Sequence, residues 1–152
     1  VLETSHVIVA AAIGYKIDPY LSFPLAFASH FVLETIPHWN PHLMTEMKKF
    51  GKITEKSKAI IVVDVLLSLF CGFFIASMAL PDTTRFLTII LCAFLGVLPD
   101  LIEAPYFFLN KRGGILEWWV RMQKSIQSDT NLTLGMISQA AVALISIFWI
   151  YQ

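Results

Sequence analysis

The sequence is short of charge. Asp, Glu, Lys and Arg make up 14% of its 152 residues, about half of the roughly one quarter carried by soluble domains. Neither sign dominates, with 11 basic against 11 acidic residues, which excludes a basic face for nucleic acid. Cysteine is scarce as well. Cys71 and Cys92 both sit inside apolar runs, so no disulfide framework is expected. There is no low-complexity stretch, and 13% aromatic content with so little charge is the reverse of a disordered composition. What the chain has in quantity is apolar side chain, 57% of the total. The expectation is one all-helical domain, residues 1–152, embedded in a membrane.

Long apolar runs locate the spans. Ala59 to Leu80 carries Asp64 as its only charge, and Phe86 to Leu109 carries Asp100 and Glu103. Leu132 to Ile150 carries none and ends near Trp149 and Tyr151, aromatics suited to the interface. Each run approaches the roughly 20 residues that cross a hydrocarbon core. Before them, Val7 to Ile17 and Tyr20 to Ile36 flank the Asp18-Pro19 turn, which predicts a tight helical hairpin. The expected bundle has about five transmembrane helices. Lys48, Lys49, Lys52, Lys56 and Lys58 fill one connection, and Lys111, Arg112, Arg121 and Lys124 another. By the positive-inside rule both face the cytoplasm, as does the N-terminus, and the C-terminus is external. The setting expected is a prokaryotic inner membrane. No basic segment with a small-residue cleavage site is read, so no cleavable signal peptide is expected; a chain opening on Val1 fits a processed start.

The informative residues are the ionisable ones inside apolar runs, which cost about 2.5–3.5 kcal/mol each to insert and usually mark function. His6 lies near the start of the first helix. His30, Glu34 and His38 recur at i, i+4 and i+8 on one face of the second. Asp64 lies about two turns into the third, and Asp100 and Glu103 lie about two turns before the end of the fourth. The topology brings all of them to a similar depth beneath the cytoplasmic face. Histidine and carboxylate donors without thiolates suit Zn²⁺, Mn²⁺ or Fe²⁺, and facing helices are how bundles build such centres. The donors outnumber the needs of one tetrahedral zinc, so one or two ions are expected. The metal candidates are His6, His30, Glu34, His38, Asp64 and Asp100; Glu103 and Glu34 are the candidate bases. Glu3 reads as a solvated residue and His42 as a weaker ligand. A purely structural hydrogen-bond network, His6 to Asp64 for example, is the plainer alternative.

Pro99 removes a helix hydrogen bond, which is tolerable where backbone lines a cavity. Leu116 to Ser128 reads as an amphipathic helix on the membrane surface, with Trp118 and Trp119 in the headgroup layer and Arg121, Lys124 and Gln127 towards water or phosphates. It is expected to be an interfacial connector, able with Gly113-Gly114 to line a headgroup site.

Ser29-His30-Phe31-Val32-Leu33-Glu34-Thr35-Ile36-Pro37-His38-Trp39, preceded by His6 and followed by Gly96-Val97-Leu98-Pro99-Asp100, resembles the membrane-bound predicted metal-dependent hydrolases of bacteria and archaea. More distantly, the His-x-x-x-acid unit is similar to that of zinc-dependent phospholipase C. The likeness spans most of residues 5–110. It implies a metal set of His6, His30, Glu34, His38 and Asp100, with Asp64 a looser match. Glu34 stands where the family more often has Asp. The function expected is hydrolysis of a phosphoester or acyl ester, with a membrane lipid as substrate, by metal-activated water. The rival readings are a small metal-ion or proton transporter using the same cluster, and a scaffold with a structural metal. His-Glu-x-x-His is absent, which argues against a zincin-like protease.

Overall fold

Prolines, glycines and capping side chains cut the chain into helices. A computed structural model describes all residues from 1 to 152. In it, α1 (Glu3–Lys16) turns at Ile17 into α2 (Pro19–Thr35). Asp18 accepts from Tyr20 N at 3.0 Å, and Pro19 takes the first turn, where no N–H is needed. α2 stops just before Pro37, and α3 (Leu43–Phe50) closes on Gly51, whose φ of 69° is left-handed. Thr54 caps α4 (Glu55–Ser77), Asp82 caps α5 (Thr83–Phe108) and Asn131 caps α7 (Leu132–Tyr151). Between α5 and α7, α6 (Gly114–Ile126) starts after Gly113. The expected all-helical architecture and N-terminal hairpin are present.

α1 is the axis of the bundle. It packs against α2, α4, α5 and α7, and His6, Ala10, Ala11 and Ala12 are completely buried in it. Close approach by small residues carries the packing around it. At Gly96 of α5 an added Cβ would lie 2.5 Å from Ala10 Cβ and 3.2 Å from His6 O. Neighbours also hold both ends of α1. Asp64 of α4 accepts from Glu3 N at 2.6 Å, Thr4 N at 3.2 Å and Thr4 Oγ1 at 2.6 Å. At the far end, Arg85 Nη1 donates to Gly14 O at 3.1 Å and Ile17 O at 2.7 Å. An acid at the N-terminus and a base at the C-terminus match the helix dipole.

Three helices, α4, α5 and α7, are long and apolar enough to cross a membrane. This corrects the expected five. The Asp18-Pro19 turn divides the first segment into helices of only 14 and 17 residues, and α1, at about 21 Å, is sheathed by other helices. Large apolar side chains such as Val63, Leu66, Phe70, Phe94, Leu144 and Phe148 face outward, a surface compatible with a membrane protein. The predicted amphipathic helix is α6, but it does more than connect. It packs against α5 and α2, burying Val120 and Gln123.

Candidate metal centre

The start of α1, the end of α2 and the last third of α5 meet at one end of the bundle, beneath α6. There His6, His30, Glu34 and Asp100 present donor atoms that all lie within 4.8 Å of one another, and the first three are buried. The rings of His6 and His30 stack with centroids 4.1 Å apart. His6 Nε2 lies 3.1 Å from Glu34 Oε1, which also pairs with the α-ammonium of Val1 at 2.6 Å. His30 Nε2 lies 3.7 Å from Asp100 Oδ1.

Backbone carbonyls fix the histidine tautomers. His30 Nδ1 sits 2.9 Å from Gly96 O and His38 Nδ1 sits 2.8 Å from Ile36 O. A carbonyl only accepts, so each Nδ1 carries a proton, and in the neutral imidazole each Nε2 keeps its lone pair. This is the arrangement in which histidines serve as metal ligands. Each Nε2 faces oxygens: Asp100 Oδ1 and Gln123 Oε1 opposite His30, and Glu34 Oε2, at 3.5 Å, opposite His38. His6 Nδ1, Glu34 Oε2 and His38 Nε2 are buried without any hydrogen-bond partner. Unpartnered buried polar atoms are costly, and a cation held beside Glu34 by the four-residue group relieves part of that cost. Four donors in a tetrahedron at about 2.1 Å from an ion are about 3.4 Å apart, so small side-chain adjustments close the group on one. The residues fit a divalent metal; its identity is not fixed by them.

Of the expected residues, His38 adjoins the group through Glu34 Oε2 but lies outside the four. It is held by a short pairing of the 34–38 segment with the chain after α6, in which His38 N donates to Ser128 O at 3.0 Å and Thr130 N donates to His38 O at 2.9 Å. Asp64 is not brought into the group; its oxygens are engaged by the first turn of α1. Glu103 follows Asp100 by one turn, and its Oε1 is buried and unpartnered.

Beside the group is a cavity of about 240 Å³. Asp100 is the one member of the four that lines it, along with Glu3, Asp64, Glu103, His42 and Lys124. Part of its wall, formed by Val65, Leu101 and Phe108, is exposed on the apolar exterior. Two site residues escaped the sequence reading. Glu3, taken as solvated, has its carboxyl beside those of Asp64 and Asp100; the Glu3-x-x-His6 spacing, which puts both on one helix face, was the available signal. Gln123 reaches His30 from α6. Its sign in the sequence was a polar residue at i+3 from Val120, on the apolar face of an amphipathic helix.

No protein-family model, curated protein or solved structure matches the chain.

Proposed function

We propose that this chain is a membrane-embedded, metal-dependent hydrolase that cleaves a phosphoester or acyl ester of a lipid at the cytoplasmic side of a prokaryotic inner membrane. The observation that carries the reading is that donor atoms of His6, His30, Glu34 and Asp100 lie within 4.8 Å of one another, with His6 Nδ1 and Glu34 Oε2 buried and unpartnered. A divalent cation there, zinc or else manganese or iron, supplies Lewis acidity and lowers the pKa of water towards about 7.

The chain's own groups supply the rest. Gly96 O and Ile36 O orient the imidazoles. Asp100 connects the buried donors to the cavity, giving the centre an open side that a purely structural metal would lack. Glu103 offers a free carboxyl oxygen on the cavity wall and takes the proton from the attacking water; Glu34 is the second candidate for that step. The apolar wall at Val65, Leu101 and Phe108 admits a lipid sideways. A transporter is less well supported, because beyond His6 the bundle closes into an apolar core of Val7, Ile8, Ala11, Ile75, Ile89 and Ala93.

The test is turnover of phospholipid and isoprenoid phosphate by the purified protein in detergent, where no gradient exists. Hydrolysis that stops on chelation and returns with metal supports the proposal. A metal-loaded protein that cleaves no ester of either class overturns it.

A further inference from the structure

Gln123 is the side chain by which α6 enters the centre, and its amide is pinned in one orientation. Its Nε2–H donates to Pro99 O at 3.1 Å, a carbonyl that Trp119 Nε1–H also reaches at 3.1 Å. The amide oxygen is thereby held 2.9 Å from His30 Nε2. With Nδ1–H committed to Gly96 O, the neutral imidazole of His30 offers only a lone pair at Nε2, and Gln123 Oε1 offers only lone pairs as well. Turning the amide over would give Nε2 a donor but set Oε1 against Pro99 O. Both residues are essentially inaccessible to solvent, where two facing acceptors are unfavourable unless a positive charge lies beside them. Adjacent donors around an octahedral ion with bonds of about 2.1 Å are about 3 Å apart, which matches the observed separation.

We propose that Gln123 Oε1 is a fifth protein donor to the cation held by His6, His30, Glu34 and Asp100, so that the ion fastens α6 over the centre. The inference rests on the cation reading above. Five protein donors exceed the four of a closed tetrahedral zinc site and suit a divalent ion that takes five or six nitrogen and oxygen ligands, such as Mn²⁺ or Fe²⁺. Besides the ion, α6 is held by the Trp119 and Gln123 bonds to Pro99 O and by the pairing of Ser128 with Glu34 and His38. It starts at Gly114 directly after Gly113, both at positive φ, it exposes Ile115 and Trp118, and it buries only Val120 and Gln123.

The test uses the full chain in detergent, with Co²⁺ as the probe, read by visible absorption and by hydrogen exchange of residues 114–126. In the wild type, Co²⁺ should give the weak absorption of five or more ligands and slow exchange in α6. Gln123→Leu should bind Co²⁺ about 10–100-fold more weakly, shift the spectrum towards the stronger four-ligand bands, and leave α6 exchange indifferent to metal. Gln123→Glu keeps a donor oxygen and should bind at least as tightly as the wild type. Should the Leu variant fail to fold, the Glu variant decides alone: retained affinity supports the donor role and lost affinity overturns it. Trp119→Phe removes the other bond to Pro99 O and should leave the Co²⁺ spectrum unchanged. Equal affinity and spectra in wild type and Gln123→Leu would overturn this inference while leaving the four-donor centre standing, and would make His30 an imidazolium that donates to both Gly96 O and Gln123 Oε1. A wild type that binds no Co²⁺ overturns both.

Discussion

Asp64 Oδ2 accepts the Glu3 backbone N–H at 2.6 Å, so an acid on α4 completes the first turn of α1. Helix N-termini leave N–H groups without internal partners, and here the partner comes from another helix. Asp64→Leu strands Glu3 N and Thr4 N, at up to about 1–3 kcal/mol per group, while Thr4 Oγ1 keeps the backbone carbonyl of residue 64. The expected result is a much lower thermal midpoint in detergent. Asp64→Asn keeps an acceptor and should give a smaller drop with unchanged metal content in the folded protein. Metal lost from Asp64→Asn at an unaltered midpoint would place Asp64 among the ligands.

Packing and site meet at Gly96. A methyl group there collides with Ala10 and presses on His6 O, and its own carbonyl orients His30. Overpacking of this kind costs about 1–3 kcal/mol, and it pushes α1 away from α5, separating His6 from Asp100. Gly96→Ala is therefore expected to lower both thermal stability and metal affinity. Calorimetric titration checks the second effect, and wild-type affinity in this variant would show that the centre tolerates movement of α1.

His38 and Glu34 should behave differently. Glu34 touches both His6 and His38, so Glu34→Ala removes a central donor and metal binding is lost. His38→Ala removes a neighbour outside the four-donor group, and an affinity drop of about 10–100-fold is expected, typical of residues supporting a metal ligand. Metal titrations of the two variants distinguish these roles.

At the surface, Glu46 joins α3 to the start of α4. Partial burial pushes its pKa up, but hydrogen bonds from Ser57 Oγ, Thr54 N and Thr54 Oγ1 outweigh that and hold it below the ordinary 4.5. A depressed folded-state pKa contributes stability that is complete above the unfolded value and is lost as pH falls through the folded one. Hydrogen exchange at residues 43–58 should therefore quicken on acidification below pH 4.5. In Glu46→Gln that acid-induced change should be absent.

The depth of each polar residue was legible in the sequence, because helical rise and the ends of apolar runs fix it. Direction around the helix axis was not. Asp64 lies at the expected depth, yet it points at the end of α1, since the rotation of α4 is set by Val7 packing on Gly72, a contact no single segment announces. His30, Glu34 and Asp100 were readable because their helix faces were marked by spacing and by Pro99. Gln123 was not, because a lone amide on a surface helix reads as solvent-facing until the buried carbonyl of Pro99 is placed beneath it. The number of spans was overread for a related reason. Apolar character in α1 reflects burial among other helices and not contact with lipid, and composition does not separate the two.

Metal analysis of the gently purified wild type, beside the double variant His30→Ala/Glu34→Ala, tests the central claim most directly. The account predicts about one or two divalent ions per wild-type chain and almost none in the double variant eluting at the same volume. Less than about 0.3 ion per wild-type chain, or equal content in both proteins, would contradict it.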